Sequence, residues 1–220
     1  LRRAAWGFCF LWFLPYIHVR ISSESLASSF FYLGLAVLVL GNFSVRAHAW
    51  AGLLCGLAFE CRFQSGFLIL GLGLWLLAVR KPGARAIFAA AFALALIIGL
   101  GTLVDRWGYG MWTFTPWNYL RSNLIENKAA EWGVLPWWGY FTLAWKVFPP
   151  LSLLVVVATL AAWALNPLSP LTWSAVPFFL VHCLIGHKEL RFLIPLAWAA
   201  PLFIAQALPE KWAQGSRFSG

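Results

Sequence analysis

Long apolar runs dominate the chain, and short polar strings punctuate them. Eight apolar stretches separate in this way: Ala4–Ile17, Ser25–Gly41, Ala47–Cys61, Ser65–Val79, Ala86–Val104, Phe148–Leu165, Thr172–Gly186 and Phe192–Leu208. Several fall short of the roughly 20 residues that a helix needs to cross the hydrocarbon core. Ala47–Cys61 and Ser65–Val79 are therefore expected to be tilted, re-entrant or lengthened by their neighbours. Backbone in lipid must satisfy its own hydrogen bonds, which leaves helices or closed-barrel strands. Barrel strands would alternate apolar and polar positions, whereas Ala86–Val104 is apolar throughout. The pattern predicts an all-α, multi-spanning transmembrane helical bundle of about eight membrane segments. One membrane domain covers residues 1–208, and a polar tail covers 209–220. Neither an internal repeat nor a low-complexity segment is visible.

Composition agrees with a membrane class. The 220 residues are 62% hydrophobic and 10% charged, with a mean hydropathy of +0.78. A soluble domain carries about 25% charged residues, so this chain cannot cover a soluble surface. The net charge of +9 does not point to nucleic acid, because the basic residues form no patch or stripe. Retention of Lys and Arg in cytoplasmic loops is the ordinary cause of such an excess. Cys9, Cys55, Cys61 and Cys183 lie in apolar segments without a CxxC spacing and read as buried free thiols. The chain starts at Leu1, and Arg2-Arg3 plus an apolar run lacks the cleavage site of a signal peptide. It is expected to be a piece of a longer protein.

The basic residues also set an orientation. Arg80, Lys81 and Arg85 form the densest cluster, in a tight RKPGAR turn, and placing it in the cytoplasm fixes the remainder by alternation. Arg2, Arg3, Arg46, Lys211, Arg217 and the tail then fall inside. On the outer face lie His18–Glu24, Glu60–Gln64, Asp105–Trp138 and His187–Arg191. Six of the seven carboxylates sit there, Glu210 being the exception. They travel with Arg, His, Asn and aromatic residues at apolar boundaries, where ionisable groups are costly and usually serve a purpose.

Four outer strings carry candidate chemistry. In HVRISSES, Arg20 and Glu24 are four apart, on one face if they share a helical turn, and Ser22 or Ser23 suits a cap. In AFECRFQSG, Glu60, Arg62 and Gln64 interrupt an apolar stretch; they either pair internally or face a cavity, and Arg suits phosphate. The segment from Asp105 to Trp138 is rich in aromatics, including Tyr109 and Trp112, as expected of an outer-face segment at headgroup level. Within it Asp105, Asn118 and Asn123 offer hydrogen bonds to hydroxyls beside apolar platforms for a sugar ring. In GHKELRFLIP, the group His187, Lys188, Glu189 and Arg191 reads as a trap for a lipid phosphate. His187 adds a proton donor for leaving-group charge. His187, Arg191, Arg62, Arg20 and Asp105 are expected to share one cleft at one membrane face.

These strings, in this order, resemble glycosyltransferase family 22, the polyprenyl-phosphate-mannose-dependent enzymes of asparagine-linked-glycan and GPI-anchor assembly, with bacterial relatives. The resemblance rests on Arg20, Ser22, Ser23 and Glu24; on GLAFECRFQ, where Arg62-Phe63-Gln64 departs from the common Arg-Pro-Thr; on Asp105, Tyr109-Gly110, Trp117-Asn118 and Asn123; and on His187 to Phe192, the most specific element. It implies a GT-C fold with its site on the non-cytoplasmic face, in a bacterial inner membrane facing the periplasm or an endoplasmic reticulum membrane facing the lumen. The implied reaction transfers mannose or a related hexose, with inversion, from a polyprenyl-phosphate-linked donor to a glycan or glycolipid hydroxyl. It needs one general base and, by the resemblance, no metal or other cofactor; the chain contains no HExxH, Cys/His cluster or DxD. The family's catalytic Asp lies in an outer loop expected upstream of Leu1, so the base is not carried over, Asp105 is only a positional substitute, and these 220 residues alone are expected to be inactive. A lipid-linked-sugar transporter, or a GT-C transferase for another sugar, are the alternative readings; a transporter would place charges near the midplane, whereas here they gather at one face.

Overall fold

The structure, a computed structural model, describes residues 2–208. The polar tail, with Glu210, Lys211 and Arg217, lies outside the described residues, as do the side chains of Arg2 and Arg3. The described residues are all-helical. Eleven α-helices run α1 Arg2–Phe10, α2 Leu14–Val19, α3 Ser23–Leu40, α4 Val45–Cys61, α5 Gly66–Trp75, α6 Ala84–Tyr109, α7 Thr115–Leu120, α8 Gly139–Val147, α9 Pro149–Leu165, α10 Pro170–Leu184 and α11 Ile194–Ala207. Four continuous helical runs, Ser23–Leu40, Phe63–Arg80, Ala84–Tyr109 and Leu190–Ala207, are long and apolar enough to cross a membrane.

The element boundaries correct the sequence reading in two places and, for Ser65–Val79, show which of its alternatives holds. The stretch Ala4–Ile17 is not one helix: α1 stops at Phe10 and α2 restarts at Leu14. Pro15 stands in the first turn of α2, where its missing N–H is harmless, but it cannot continue a helix from α1. Ser65–Val79 is lengthened by a 3₁₀ turn before α5 and a π turn, Leu76–Arg80, after it. The π turn closes with the Lys81 amide on Leu76 C=O at 2.7 Å. α6 runs on through Asp105 to Tyr109, so Asp105 sits on its last turns and not in a loop. Caps fix the other starts. Ser22 accepts from the Ser25 amide at 3.1 Å and Ser44 from the Ala47 amide at 3.2 Å, each satisfying an orphan donor.

Lipid tails are as apolar as Leu, so helices in a membrane associate through close packing of small residues. Gly52 and Gly56 lie four apart on α4, facing α6. A Cβ at Gly52 would overlap the Ala90 backbone, and one at Gly56 would come 2.6 Å from Ile97 Cβ. Gly71 lets α5 meet the backbone of Trp173 and Ser174 on α10 in the same way. The centre is filled by Phe31, Leu68, Phe178 and Phe203 from α3, α5, α10 and α11.

Contacts at the two ends establish the alternation expected from charge. At one end Arg80 stacks over Phe43 with its Cζ 4.5 Å from the ring centroid, and Trp75 Nε1 donates to Leu168 C=O at 2.7 Å. The turns 41–44, 80–83 and 166–169 therefore share that end. At the other end Arg62 meets Glu24, gathering the HVRISSES, AFECRFQSG and GHKELRF strings.

Candidate functional site

Arg62 is the hub of the polar end. It is the C-cap of α4 in extended conformation, with φ −158° and ψ 113°, which turns its side chain toward α3. Its NH1 lies 3.1 Å from Glu24 Oε1 and donates to Ser23 Oγ at 3.2 Å, while Ser23 Oγ donates to Glu24 Oε2 at 3.1 Å. Glu24 is only 4% exposed, a burial that a carboxylate tolerates when paired and hydrogen-bonded. The Arg62 Cζ also sits 5.2 Å from the Phe192 ring centroid, with Arg191 Cζ at 5.6 Å from the same ring. Phe192 thus joins the α4 terminus to the loop before α11.

Two local pairings that the sequence allows are not made. Arg20 does not pair with Glu24: it lies past the end of α2 in extended backbone, so the four-residue spacing no longer puts both on one helical face. Arg20 instead donates to Tyr16 Oη, with its Cζ 5.7 Å from that ring. Glu60 does not pair with Arg62. Its carboxylate packs against Gly101 on α6, where a Cβ would overlap it, within electrostatic reach of Asp105.

The GHKELRF loop is internally paired. Glu189 receives Arg191 Nε at 2.7 Å and NH2 at 3.0 Å, and His187 Nε2 lies 3.0 Å from Glu189 Oε1. Burial pushes Glu189 up, but the hydrogen bonds from His187 and Arg191 outweigh it and hold its carboxyl below the usual range. The Arg191 side chain remains 60% exposed, so its remaining N–H groups are free to meet a ligand. Lys188 differs from the expectation. It is 6% exposed and donates to Ile185 C=O and, at 3.3 Å, to Leu135 C=O. With the Leu135 amide on Gly186 C=O at 2.9 Å, it ties the outer segment down, and burial lowers its pKa. Its ammonium is occupied by protein.

In the outer segment, Asp105 Oδ2 accepts from the Thr115 amide at 3.2 Å, tethering the first turn of α7. Gln64 donates to Tyr119 Oη, and Phe63 packs edge-on against that ring at 5.7 Å. Tyr119 is raised by burial, with the Arg62 charge acting against it. Asn123 Nδ2 donates to Tyr119 C=O at 2.9 Å, leaving its carbonyl oxygen to accept. Tyr109, Trp112 and Asn118 are exposed, with Arg106 Cζ 6.0 Å from the Trp112 ring. Trp107, Trp132 and Trp137 are exposed as well, the disposition of an aromatic belt.

A groove of about 510 Å³ opens beside these groups. Phe141, Val156, Trp163, Phe179 and Leu193 form its apolar walls, from α8 to the turn before α11, and Arg20, Glu24 and Arg191 form its polar mouth. Arg62 stands behind Glu24, and His187 lies behind Glu189. Asp105 does not line the groove; its helix turns it toward α7. The expected single cleft is thus a groove with Arg20 and Arg191 in its lining, while Asp105 lies apart from it, near Glu60 and the start of α7. Among the described residues no three His, Cys, Asp or Glu side chains gather as a metal site would require.

Sequence reasoning overlooked Tyr16 and the groove itself, and gave Tyr119 and Phe192 no contact of their own. Phe192 stood within the HKELRF string, and its aromatic ring between two arginines was the available signal. The groove gave none, since its wall residues are indistinguishable by type from lipid-facing ones.

Residues 3–212 match the family described as the Alg9-like mannosyltransferase family. The chain is similar to the mannosyltransferase APTG1 of Arabidopsis thaliana, at 26% identity over 77% of this chain and 31% of that protein. It is 32% identical to GPI alpha-1,2-mannosyltransferase 3 of Danio rerio over 52% of this chain and 21% of that protein. A third similarity, 30% over 44% of this chain and 18% of the other, is to a probable Dol-P-Man:Man(7)GlcNAc(2)-PP-Dol alpha-1,6-mannosyltransferase of Schizosaccharomyces pombe. The chain thus spans less than a third of the length of these three relatives. No solved structure matches it.

Proposed function

This chain belongs to the Alg9-like mannosyltransferase family, and from that premise we propose that it forms the donor-binding part of a GT-C-type membrane mannosyltransferase. The donor is a polyprenyl- or dolichyl-phosphate mannose, and the acceptor a hydroxyl of a glycan or glycolipid such as a GPI precursor. The protein sits in the bilayer with the polar end on the non-cytoplasmic face, in the endoplasmic reticulum or a bacterial inner membrane.

One observation carries this reading: an apolar groove between helices is lined at its polar end by two arginines, Arg20 and Arg191, together with Glu24, whose charge is paired by Arg62. That is the shape and charge order of a polyprenyl phosphate, with an apolar tail and an anionic head. The acceptor oxygen attacks the mannose anomeric carbon, the carbon–oxygen bond to phosphate breaks, and the electron pair leaves with the polyprenyl phosphate. The acceptor proton passes to a general base, for which Asp105 is only a positional candidate. The departing phosphate gains negative charge, so guanidinium donors at the mouth bind the transition state more tightly than the ground state. Asn118 and Asn123 serve sugar or acceptor hydroxyls.

The test is binding of a fluorescent polyprenyl phosphate to the purified chain in neutral detergent. Filling the groove with Ala144→Trp should abolish binding, whereas Ala95→Trp on the exposed side of α6, away from the groove, should not. Equal binding by both variants would remove the groove from the proposal.

A further inference from the structure

The end of the bundle opposite the polar site carries a second cavity, of about 490 Å³, lined by Phe43, Ser44, Arg80, Lys81, Ala84 and Arg85 among others. Arg80, Lys81 and Arg85 are exposed, and none forms an ion pair among the described residues. All six described carboxylates belong to the other end, so among the described residues these cations have no counter-charge. Arg80 is held at the cavity wall by the Phe43 ring, 4.5 Å from its Cζ.

The cavity also leads onto an apolar track. From Ala84 at its rim, Phe88, Phe92, Leu96 and Leu100 follow at intervals of four along one side of α6, all substantially exposed. The Phe88 and Phe92 rings stack at 6.0 Å. A free anion would use the cations and ignore the track. A diacyl lipid would use both.

We infer that this cavity binds the headgroup of an anionic glycerophospholipid, with its acyl chains along the Phe88–Leu100 face of α6. The phosphodiester meets Arg80, Lys81 and Arg85, supported by the Ala84 and Arg85 amides at the start of α6, whose N-cap Gly83 offers no side chain. The site is separate from the proposed donor groove and does not rest on that assignment.

Native mass spectrometry of the purified chain in neutral detergent tests this with dioleoyl phosphatidylglycerol, dioleoyl phosphatidylcholine and inorganic phosphate as probes. Phosphatidylglycerol should be retained in preference to phosphatidylcholine. Removing two cations near an anionic headgroup should weaken retention about tenfold or more. The variant is Lys81→Gln with Arg85→Gln, both exposed and outside the Phe43 contact, so folding is not at stake. Arg121→Gln with Lys128→Gln, at the opposite end, should leave retention unchanged, and Phe88→Ser with Phe92→Ser should lower it. Saturating polyprenyl phosphate should not displace the lipid. The inference is overturned by wild-type retention in the Lys81/Arg85 variant, by equal loss in the Arg121/Lys128 variant, or by inorganic phosphate displacing phosphatidylglycerol at equal concentration.

Discussion

Arg62, at the end of α4, reaches across to Glu24, in the first turn of α3, with 3.1 Å between guanidinium nitrogen and carboxylate oxygen. The pair closes the polar end of the two helices that the Ser44 cap and the turn at 41–44 join at the other. The Glu24 side chain is 6% exposed and that of Arg62 20%, so severing the pair strands a charge in a poorly hydrated place. Arg62→Met should cost about 3 kcal/mol, the low end for a broken buried pair. Glu24→Gln should cost less, because the amide can still accept from Ser23. Thermal melts of the two single variants and the double variant should show a favourable coupling between the sites; strict additivity would mean that the pair contributes only geometry.

The glycines make opposite predictions according to what faces them. Gly52→Ala should destabilise by about 1–3 kcal/mol, since its Cβ meets the Ala90 backbone, which cannot move aside as a side chain could. Gly73, also helical, has nothing within 4 Å of an added Cβ. Gly73→Ala should therefore stabilise by up to about 1 kcal/mol through the unfolded chain. Melting in detergent checks both, and a loss at Gly73 would show that its open side is covered in the membrane protein.

The sidedness of the molecule was legible in the sequence because it depends on charge placement between apolar runs. Arg80, Lys81 and Arg85 do lie opposite His187 and Arg191. The HKELRF string likewise announced a charged cluster. Pairings were not legible. Arg62 chooses Glu24, 38 positions away, and the local alternative from Arg20 fails because α2 ends at Val19 and α3 begins only after its Ser22 cap, leaving Arg20 in extended backbone between the helices. Burial of Lys188 was equally hidden, since its acceptors are backbone carbonyls of Leu135 and Ile185 that no side-chain pattern reveals. α8 escaped notice because its nine residues contain Thr142 and Lys146 and are too short to read as a span.

Lys188 should act as a positioning residue for the outer segment. Lys188→Met keeps the chain length and removes both carbonyl contacts. It also relieves the burial of an ammonium, so global stability should change little. The local effect should be clear: amide hydrogen exchange at Leu135, now bonded to Gly186 C=O at 2.9 Å, should accelerate together with that of residues 133–139. Unchanged exchange there would leave Lys188 without a tethering role.

Glu189 supplies a pH dependence with a definite sign. Its folded pKa lies below the ordinary carboxylate value. A carboxylate so depressed contributes stability that is fully present above its unfolded value, about 4.3. That contribution is lost as pH falls through the folded value. The melting temperature should therefore decline on acidification below about pH 4.5, and Glu189→Gln should flatten part of that decline. The difference between the two profiles is the diagnostic, because other carboxylates also titrate there. Superimposable profiles would mean that the His187–Glu189–Arg191 cluster does not persist in the membrane protein.

On the proposed donor role, the same cluster sets how Arg191 would meet a phosphate. Glu189 takes Nε and NH2 of the guanidinium in a two-pronged contact and so fixes the plane in which the remaining N–H groups point. A planar fork held in this way suits a phosphate, which accepts two parallel hydrogen bonds. Arg191→Ala should lower turnover by about 100- to 1,000-fold, the range for removing one well-placed donor to developing charge. Arg191→Lys should recover only part of this, because an ammonium is a point charge without the fork. Glu189→Gln should fall between the two, since it preserves the guanidinium but loosens its plane. Asn118→Ala, far from the phosphate mouth, should instead raise KM for the acceptor with kcat nearly unchanged. Steady-state kinetics with donor and acceptor varied separately resolve these outcomes. Full turnover in Arg191→Ala would remove the donor-phosphate role from this loop.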